Sequence, residues 1–350
     1  MSTIGGNHIM SPTVILQDIK RLTCPSLCRT VSIKAPGSIH FPPTLAKKKM
    51  ATFKPLLPPH IIPQNDKNPN APTPIPTKHE SLSPPLRDTL TLSSWLLLGG
   101  LLQGLTYLAL GPITLLPTTL ILLCRLTDHL LMACNITRNR YMDTVIPQKY
   151  SPQIPHRDGT FGAEPSSSKI VVFHLGVRSN HPLGLFAPGM KGLGENFSAM
   201  LADMRADPVK SGLLGTSRWL KGEDSGGNEI VTVFYLRDYD ALHRFAYGEV
   251  HMAGVKYWNR IVGGAPHLAI YHETYVVPRG HWEAVYINSK PTGLGDTWFP
   301  FEDGNKEGGT RGFVRPIVDA RRGVLRSKVG RLSMAKMEEG EEYDEAYGET

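Results

Sequence analysis

No cysteine follows residue 134 in this chain of 350 residues. Everything downstream therefore works without a thiolate nucleophile, a disulfide or a cysteine-bound metal. The four cysteines present are Cys24, Cys28, Cys124 and Cys134. Cys24 and Cys28 lack the second pair that a zinc site needs, so they read as free thiols in a tail. Acidic residues are scarce at the other end of the argument: up to residue 65 a single acid, Asp18, stands against Lys20, Arg21, Arg29, Lys34, Lys47, Lys48, Lys49 and Lys54. Such a basic start resembles a transit peptide, although no amphipathic helix accompanies it; Met50 is a second candidate start. The formal net charge of +7 sits in this tail, and the last residues, Glu338–Glu349, are strongly acidic. No basic face with interleaved aromatics occurs inside a folded unit, which argues against a nucleic-acid partner.

A third absence is more telling. From Leu90 to Leu126 the only charged residue is Arg125. About 20 apolar residues cross the hydrocarbon core of a bilayer, and Leu90–Leu110 meets that length alone. Gly111-Pro112 and Pro117 interrupt the remainder, which is expected to form a half-length helix or a re-entrant hairpin. A buried core helix fits less well, because no polar face appears. Lys78 and Arg87 precede the segment, while Arg125, Arg138, Arg140 and Lys149 follow it. The positive-inside tendency then puts the C-terminal domain in the cytosol, anchored to a membrane such as the endoplasmic reticulum. The sequons at Asn135 and Asn196 stay unmodified there.

The organisation that follows has five parts. Residues 1–88 read as a disordered, Pro-rich basic tail, broken by prolines from Pro42 to Pro85. Residues 89–126 are the transmembrane or re-entrant segment, and 147–168 a Pro/Ser/Gly linker. Residues 169–297 form an α+β domain, and 298–350 an irregular extension with an acidic tail. Within the domain, Lys169–Arg178 alternates as a strand, with Val171, Phe173, Leu175 and Val177 on one face and Ile170, Val172, His174 and Gly176 on the other. Residues 190–206 place Met190, Leu193, Phe197, Met200, Leu201 and Met204 at helical spacing. Ser211–Lys221 is a second strand, Glu223–Asn228 a Gly-rich turn, and Ile230–Leu236 a third strand. Asp238–Ile261 is one long helix, N-capped by Asp238 or Asp240, and His267–Val277 the last strand. This β-α-β-β-α-β order is the ferredoxin-like arrangement. Two helices cover one face of such a sheet, and a homodimer buries the bare one.

At helical spacing His243, Tyr247, His251, Val255 and Trp258 share one stripe of the second helix. Ring nitrogens, a phenol and an indole among apolar carbon suit the wall of a pocket for an organic ligand. The run Val231–Leu236, the segment "FAYGEVHMAGVKYWN" within Ala241–Asn259, and "HLAIYHETYVVPRGHWEAVYINSKPTGLG" through Gly295 resemble fungal members of the antibiotic-biosynthesis-monooxygenase-like, dimeric α+β barrel superfamily. More closely, they resemble the membrane-anchored fungal monooxygenases of polyketide and terpenoid secondary-metabolite clusters, the fumagillin type. The resemblance covers residues 169–297 and the upstream anchor.

That resemblance implies a monooxygenase acting on a hydrophobic secondary metabolite with O2 and no metal. Cofactor-free members deprotonate an electron-rich substrate and let the carbanion meet dioxygen, which needs a base and donors for the resulting oxyanion. His251 is the first candidate base and His243 the second. Tyr247, Trp258 and Asn259 on the helix, with His174 and Tyr271 on the flanking strands, are candidate substrate-binding residues. Each of these is also a common structural residue. Haem-binding relatives, the aldoxime dehydratases and dye-decolorising peroxidases, keep a haem open, since one axial histidine suffices. A haem-dependent lyase or dehydratase, and a non-catalytic ligand-binding or scaffold protein, are the alternatives. A chelated metal fits poorly: His243 and His251 lie about 12 Å apart along a helix, and His267 and His272 point to opposite faces of a strand. Gly189-Met-Lys-Gly-Leu-Gly194 departs from the dinucleotide spacing and reads as a flexible lead into a helix.

Overall fold

The computed structural model describes residues 51–62, 75–76, 83–220, 229–303 and 310–332. The expectations for Cys24 and Cys28, for Glu223–Asn228 and for Glu338–Glu349 lie outside these residues. In chain order, β1 (His60–Ile61) precedes two apolar helices, α1 (Leu92–Leu110) and α2 (Leu115–Ala133). Then come β2 (Ile146–Pro152), β3 (Ile170–Ser179), α3 (Met190–Ala206), β4 (Leu213–Leu220) and β5 (Glu229–Leu236). Two helices follow, α4 (Tyr239–Ala246) and α5 (Glu249–Ile261), and then β6 (Leu268–Val277). The chain closes with β7 (Tyr286–Ser289), β8 (Phe299–Asp303), β9 (Thr310–Val314) and β10 (Ile317–Asp319).

The central sheet is antiparallel in the order β4-β5-β3-β6. Two consecutive strands, β4 and β5, pair as a hairpin, and β3 sits between β5 and β6, which is the ferredoxin-like topology expected from the strand and helix pattern. The alternation in β3 settles which face is which. Val171 and Phe173 join Phe234, Leu236, Leu213, Leu201, Met204 and Leu242 in the main core, between the sheet and the helices. The opposite parity carries Ile170, Val172, His174 and Gly176 on the face away from the helices. One end of that second face is covered by the chain itself, where Ile170 packs with Trp282 and Leu294. The other end is open, and Trp219, Val231, Gly176 and Tyr271 form one row across it.

The helix read as Asp238–Ile261 is two helices. Asp238 does cap the first, accepting the Ala241 amide at 2.7 Å. The helix then stops at Ala246, and Gly248, in an extended conformation (ψ 150°), starts the second. Glycine is a poor helix former and a good N-cap, so a break there is inexpensive. The two pieces no longer share one stripe.

Three further expectations need correction. Residues 51–62 belong to the folded body and are not a disordered tail: β1 pairs with β9, Pro55 bridges to Val318, and the Leu56 amide donates to the Ile317 carbonyl at 3.0 Å. Phe53 and Ile62 pack into two of the cores. Proline favours extended chain, and an edge strand is extended chain, so the same composition serves both states. The stretch 147–168 is not a plain linker, because β2 pairs with β7 and β10 and buries Tyr150 and Ser151 completely. Residues 298–332 are not irregular: β8, β9 and β10 close a second core of Phe299, Phe301, Val314, Val318 and Leu325 against Phe161 and Leu214.

The apolar segment forms two helices that are each long and apolar enough to cross a membrane. No residue of α1 is buried, and in α2 only Met132 is. The second piece is a full helix of 19 residues, longer than the half-length one expected, because Pro117 falls in its first turn, where no helical partner for an N–H is needed. Gly111, at φ +74°, makes the reversal between them. The one amide in α1, Gln103, is satisfied across that turn. It donates to the Thr114 carbonyl at 3.2 Å and accepts from the Thr118 hydroxyl at 3.1 Å.

Candidate functional site

The helix layer covers the sheet unevenly. On the helix-facing parity, Val171, Phe173, Phe234 and Leu236 are buried, whereas Ile270, His272, Thr274 and Val276 of the edge strand β6 are exposed. The sheet is therefore roofed over β3 and β5 and open over β6. His272 lies in this opening, and His251 lies on α5 in the helix layer; both rings contact aromatic rings. The His272 ring sits 5.7 Å from that of Phe173, and the His251 ring 4.9 Å from that of Phe245. Phe245 itself packs against the core cluster that contains Phe173.

His251 is the best-defined chemical group here. Its Nδ1 lies 2.7 Å from the carbonyl oxygen of Ala246, the last residue of α4. A carbonyl can only accept, so Nδ1 carries a proton, and in the neutral ring Nε2 carries the lone pair. The break between α4 and α5 creates this contact, since it frees the Ala246 carbonyl for a side chain. The ring is half-buried. Gly254, one turn on, lies where a Cβ would meet the Met200 methyl group, which lets α5 close on α3. A fixed tautomer, with one nitrogen oriented by a carbonyl and the other free, is what a general base or an axial ligand requires.

The other expected residues are not gathered around it. The His243 and Tyr247 rings lie against each other, tilted by 35° with centroids 4.5 Å apart, and both are exposed. The helix break rotates them away from the α5 stripe. Trp258 packs into a side core with Ala187, Met190, Ala265 and Leu268, and Asn259 is exposed. His174 and Tyr271 lie on the opposite face of the sheet. There the Tyr271 hydroxyl donates to Glu229 at 2.7 Å, and Arg178 reaches the other carboxylate oxygen at 3.1 Å. That hydrogen bond to the Glu229 carboxylate, with burial adding to it, pushes the Tyr271 phenol up to about 12. Tyr271 lies flat over Gly176, where any Cβ would collide with the ring. His174 Nδ1 is 3.8 Å from Glu273, which also accepts the Tyr275 hydroxyl at 2.7 Å. Two sets of chemistry-bearing groups thus occupy two faces: His251 and His272 on the helix side, and the Tyr271–Glu229–Arg178 network on the face away from the helices.

His272 and Glu229 were not among the expected site residues. His272 was legible as a strand residue sharing parity with Phe173's neighbours, but nothing in the sequence shows that the helices leave it uncovered. Among the described residues no group of three or more His, Cys, Asp or Glu side chains converges in a way that would hold a metal ion. For a haem, His243 does not fit, because its ring is exposed and lies against the Tyr247 phenol. His251 does fit, since its Nε2 is available and its Nδ1 is already held.

Comparison with known proteins places these residues in context. The model of the monooxygenase af470-like family matches residues 170–294. Monooxygenase af470 of Aspergillus fumigatus is 33% identical over 267 residues, which are 75% of this chain and 95% of that protein. Among solved structures, an aldoxime dehydratase in complex with butyraldoxime aligns at 16% identity over 36% of each chain, with a TM-score of 0.30. A cofactor-independent oxygenase from Streptomyces nogalater aligns at 14% identity over 31% of this chain and 92% of its own, with a TM-score of 0.22.

Proposed function

The chain belongs to the monooxygenase af470-like family and is an oxidoreductase; from that membership we propose that it oxidises a hydrophobic secondary metabolite, a polyketide or terpenoid, with O2 at a membrane surface. The observation that carries the mechanism is the fixed tautomer of His251. Its Nε2 takes a proton from a methylene acidified by a neighbouring carbonyl or phenol. The carbanion passes electrons to O2 and couples with it to a peroxide, and loss of water leaves a ketone. In balance, one methylene and one dioxygen give one ketone carbonyl and one water. The Ala246 carbonyl steadies the imidazolium through Nδ1–H, and the half-buried Phe245 offers apolar surface to the substrate. His272 is a donor for the developing enolate oxygen.

The membrane reading is supported by α1 and α2, which expose apolar side chains along their whole length. A hairpin brings both flanks to one side, and the basic residues on each flank favour the cytosol, with the endoplasmic reticulum as the membrane. The homodimer is supported by the open half of the sheet, where Trp219, Tyr271 and Tyr275 are exposed. The same His251 nitrogen would hold a haem if one were bound, and the group would then supply redox or Lewis-acid chemistry in place of direct oxygenation.

The test is the full chain purified in detergent, with its absorption spectrum and product labelling measured together. No Soret band, and one atom of 18O from 18O2 in the product, are expected. A stoichiometric Soret band overturns the cofactor-free mechanism, and 18O from labelled water overturns oxygenation.

A further inference from the structure

The turn between β3 and α3 holds two apolar side chains outward on a fixed frame. The Gly184 amide donates to the His181 carbonyl at 2.9 Å, Phe186 to Leu183 at 2.9 Å, and Ala187 to Gly184 at 3.1 Å. Leu185 and Ala187 pack inward against Met190 and Leu268. With those two inward, Leu183 and Phe186 are left 56% and 70% exposed. Together with Pro182 they form one wall of an apolar groove of about 200 Å³. Thr89, Leu90 and Trp95, at the start of α1, form the other. The Trp95 indole N–H donates to the Arg87 carbonyl at 2.8 Å, so its polar edge turns back toward the charged flank. An indole held in this way is characteristic of the boundary between headgroups and hydrocarbon.

We propose that Leu183 and Phe186 enter the bilayer interface beside α1, giving the catalytic domain a second membrane contact made through lipid acyl chains. This rests on the membrane reading of α1 and α2. Trp95 lies three residues past the start of α1, about 4.5 Å along its axis. Interfacial apolar side chains reach about 5–10 Å into the headgroup–acyl boundary. Residues that share a groove with Trp95 therefore stand at that depth. Lipid is the occupant that the groove's position favours, because its second wall is the root of a helix already destined for lipid. The contact fixes how the domain sits on the membrane and sets the β3–α3 edge against the phase in which a lipophilic substrate concentrates.

The experiment places the photocrosslinker p-benzoylphenylalanine at Phe186 in the full chain, reconstituted in phosphatidylcholine liposomes, and reads lipid adducts by mass spectrometry. The same substitution at Leu96, within α1, reads the anchor independently. Adducts at both positions are expected. Adducts at Leu96 and none at Phe186 overturn the proposal while leaving the anchor intact. No adduct at either position overturns the membrane reading and the proposal with it. A crosslink from Phe186 to a second protein chain, with no lipid adduct, also overturns it. Both side chains are exposed, so neither substitution strains the fold, and Leu183 in place of Phe186 repeats the test.

Discussion

Replacing His251 separates its two roles by size. In the folded protein its Nδ1–H satisfies the Ala246 carbonyl at the end of α4. A hydrogen bond of this kind contributes about 0.5–1.5 kcal/mol net, and the ring contact with Phe245 adds about 0.5–1.5 kcal/mol. His251→Ala thus costs at most about 3 kcal/mol of a stability on the order of 5–15 kcal/mol. At about 2–4 °C per kcal/mol for a domain of this size, Tm falls by roughly 12 °C or less. Loss of a general base costs about 10²- to 10⁴-fold in rate. At about 1.36 kcal/mol per tenfold, that is roughly 3–5 kcal/mol in the barrier. His251→Gln sharpens the comparison, because its side-chain amide can still donate to the carbonyl but cannot take the proton. Thermal denaturation and O2 uptake on the same preparations read the two effects separately. Gln is expected to restore stability and leave the rate low, and added imidazole is expected to recover part of the rate in the Ala variant. A Gln variant as active as the parent, or an Ala variant slowed less than tenfold while folded, would refute the base assignment.

Other perturbations test the frame around the site. Gly176→Val places a side chain where the Tyr271 ring lies; overpacking of this kind costs about 1–3 kcal/mol, and denaturant titration should show it, whereas Gly176→Val combined with Tyr271→Ala should recover part of the loss. The Tyr271 phenol, raised to about 12 by its bond to Glu229, stabilises the fold while protonated. That contribution is full below pH ~10 and fades as pH rises through about 12, so a stability deficit in Tyr271→Phe at pH 8 should vanish near pH 12. Asp319 has the opposite sign: its hydrogen bonds to Arg321 hold its carboxyl down at about 2. Its contribution is complete above pH ~4 and disappears as pH falls through about 2, so Asp319→Asn and the parent should converge in Tm in acid, and a constant gap would contradict the pairing. Arg331 is buried and bonded to Glu283 at 2.5 Å and to the Leu325 carbonyl at 2.9 Å. Glu283 is half-buried, but its removal strips the buried Arg331 guanidinium of its charged partner, which costs up to about 3–5 kcal/mol where such a pair is buried, so Glu283→Ala should be the most damaging of these changes in a melting experiment.

What could be read from the sequence followed from periodicity. Val171, Phe173, Leu175 and Val177 alternate because one face of β3 is the core, and that parity carries through the register to Phe234 and Leu236. The same argument failed where two structures share one composition. Pro55, Pro58 and Pro59 suit an edge strand as well as a free tail, and what decides is the pairing of β1 with β9, near the other end of the chain. Gly248 could sit in a helix at modest cost, and the break there depends on tertiary packing that no local pattern records. That single break explains most of what the sequence could not say about the site. In an unbroken helix, His243, Tyr247 and His251 would line one stripe, and every backbone carbonyl would be used internally. Once the helix breaks, His243 and Tyr247 turn to solvent, and the Ala246 carbonyl is released to hold His251 Nδ1. The feature that undoes the expected stripe is therefore the one that gives its central histidine a defined tautomer. A substitution that heals the break, Gly248→Ala, is expected to leave the fold standing while loosening that tautomer. The rate should fall with a modest drop in Tm, since the added methyl meets the Phe245 carbonyl at 3.2 Å. Nitrogen chemical shifts of the His251 ring report the tautomer directly: a proton still fixed on Nδ1 in an impaired Gly248→Ala variant would separate the break from the chemistry and defeat this account.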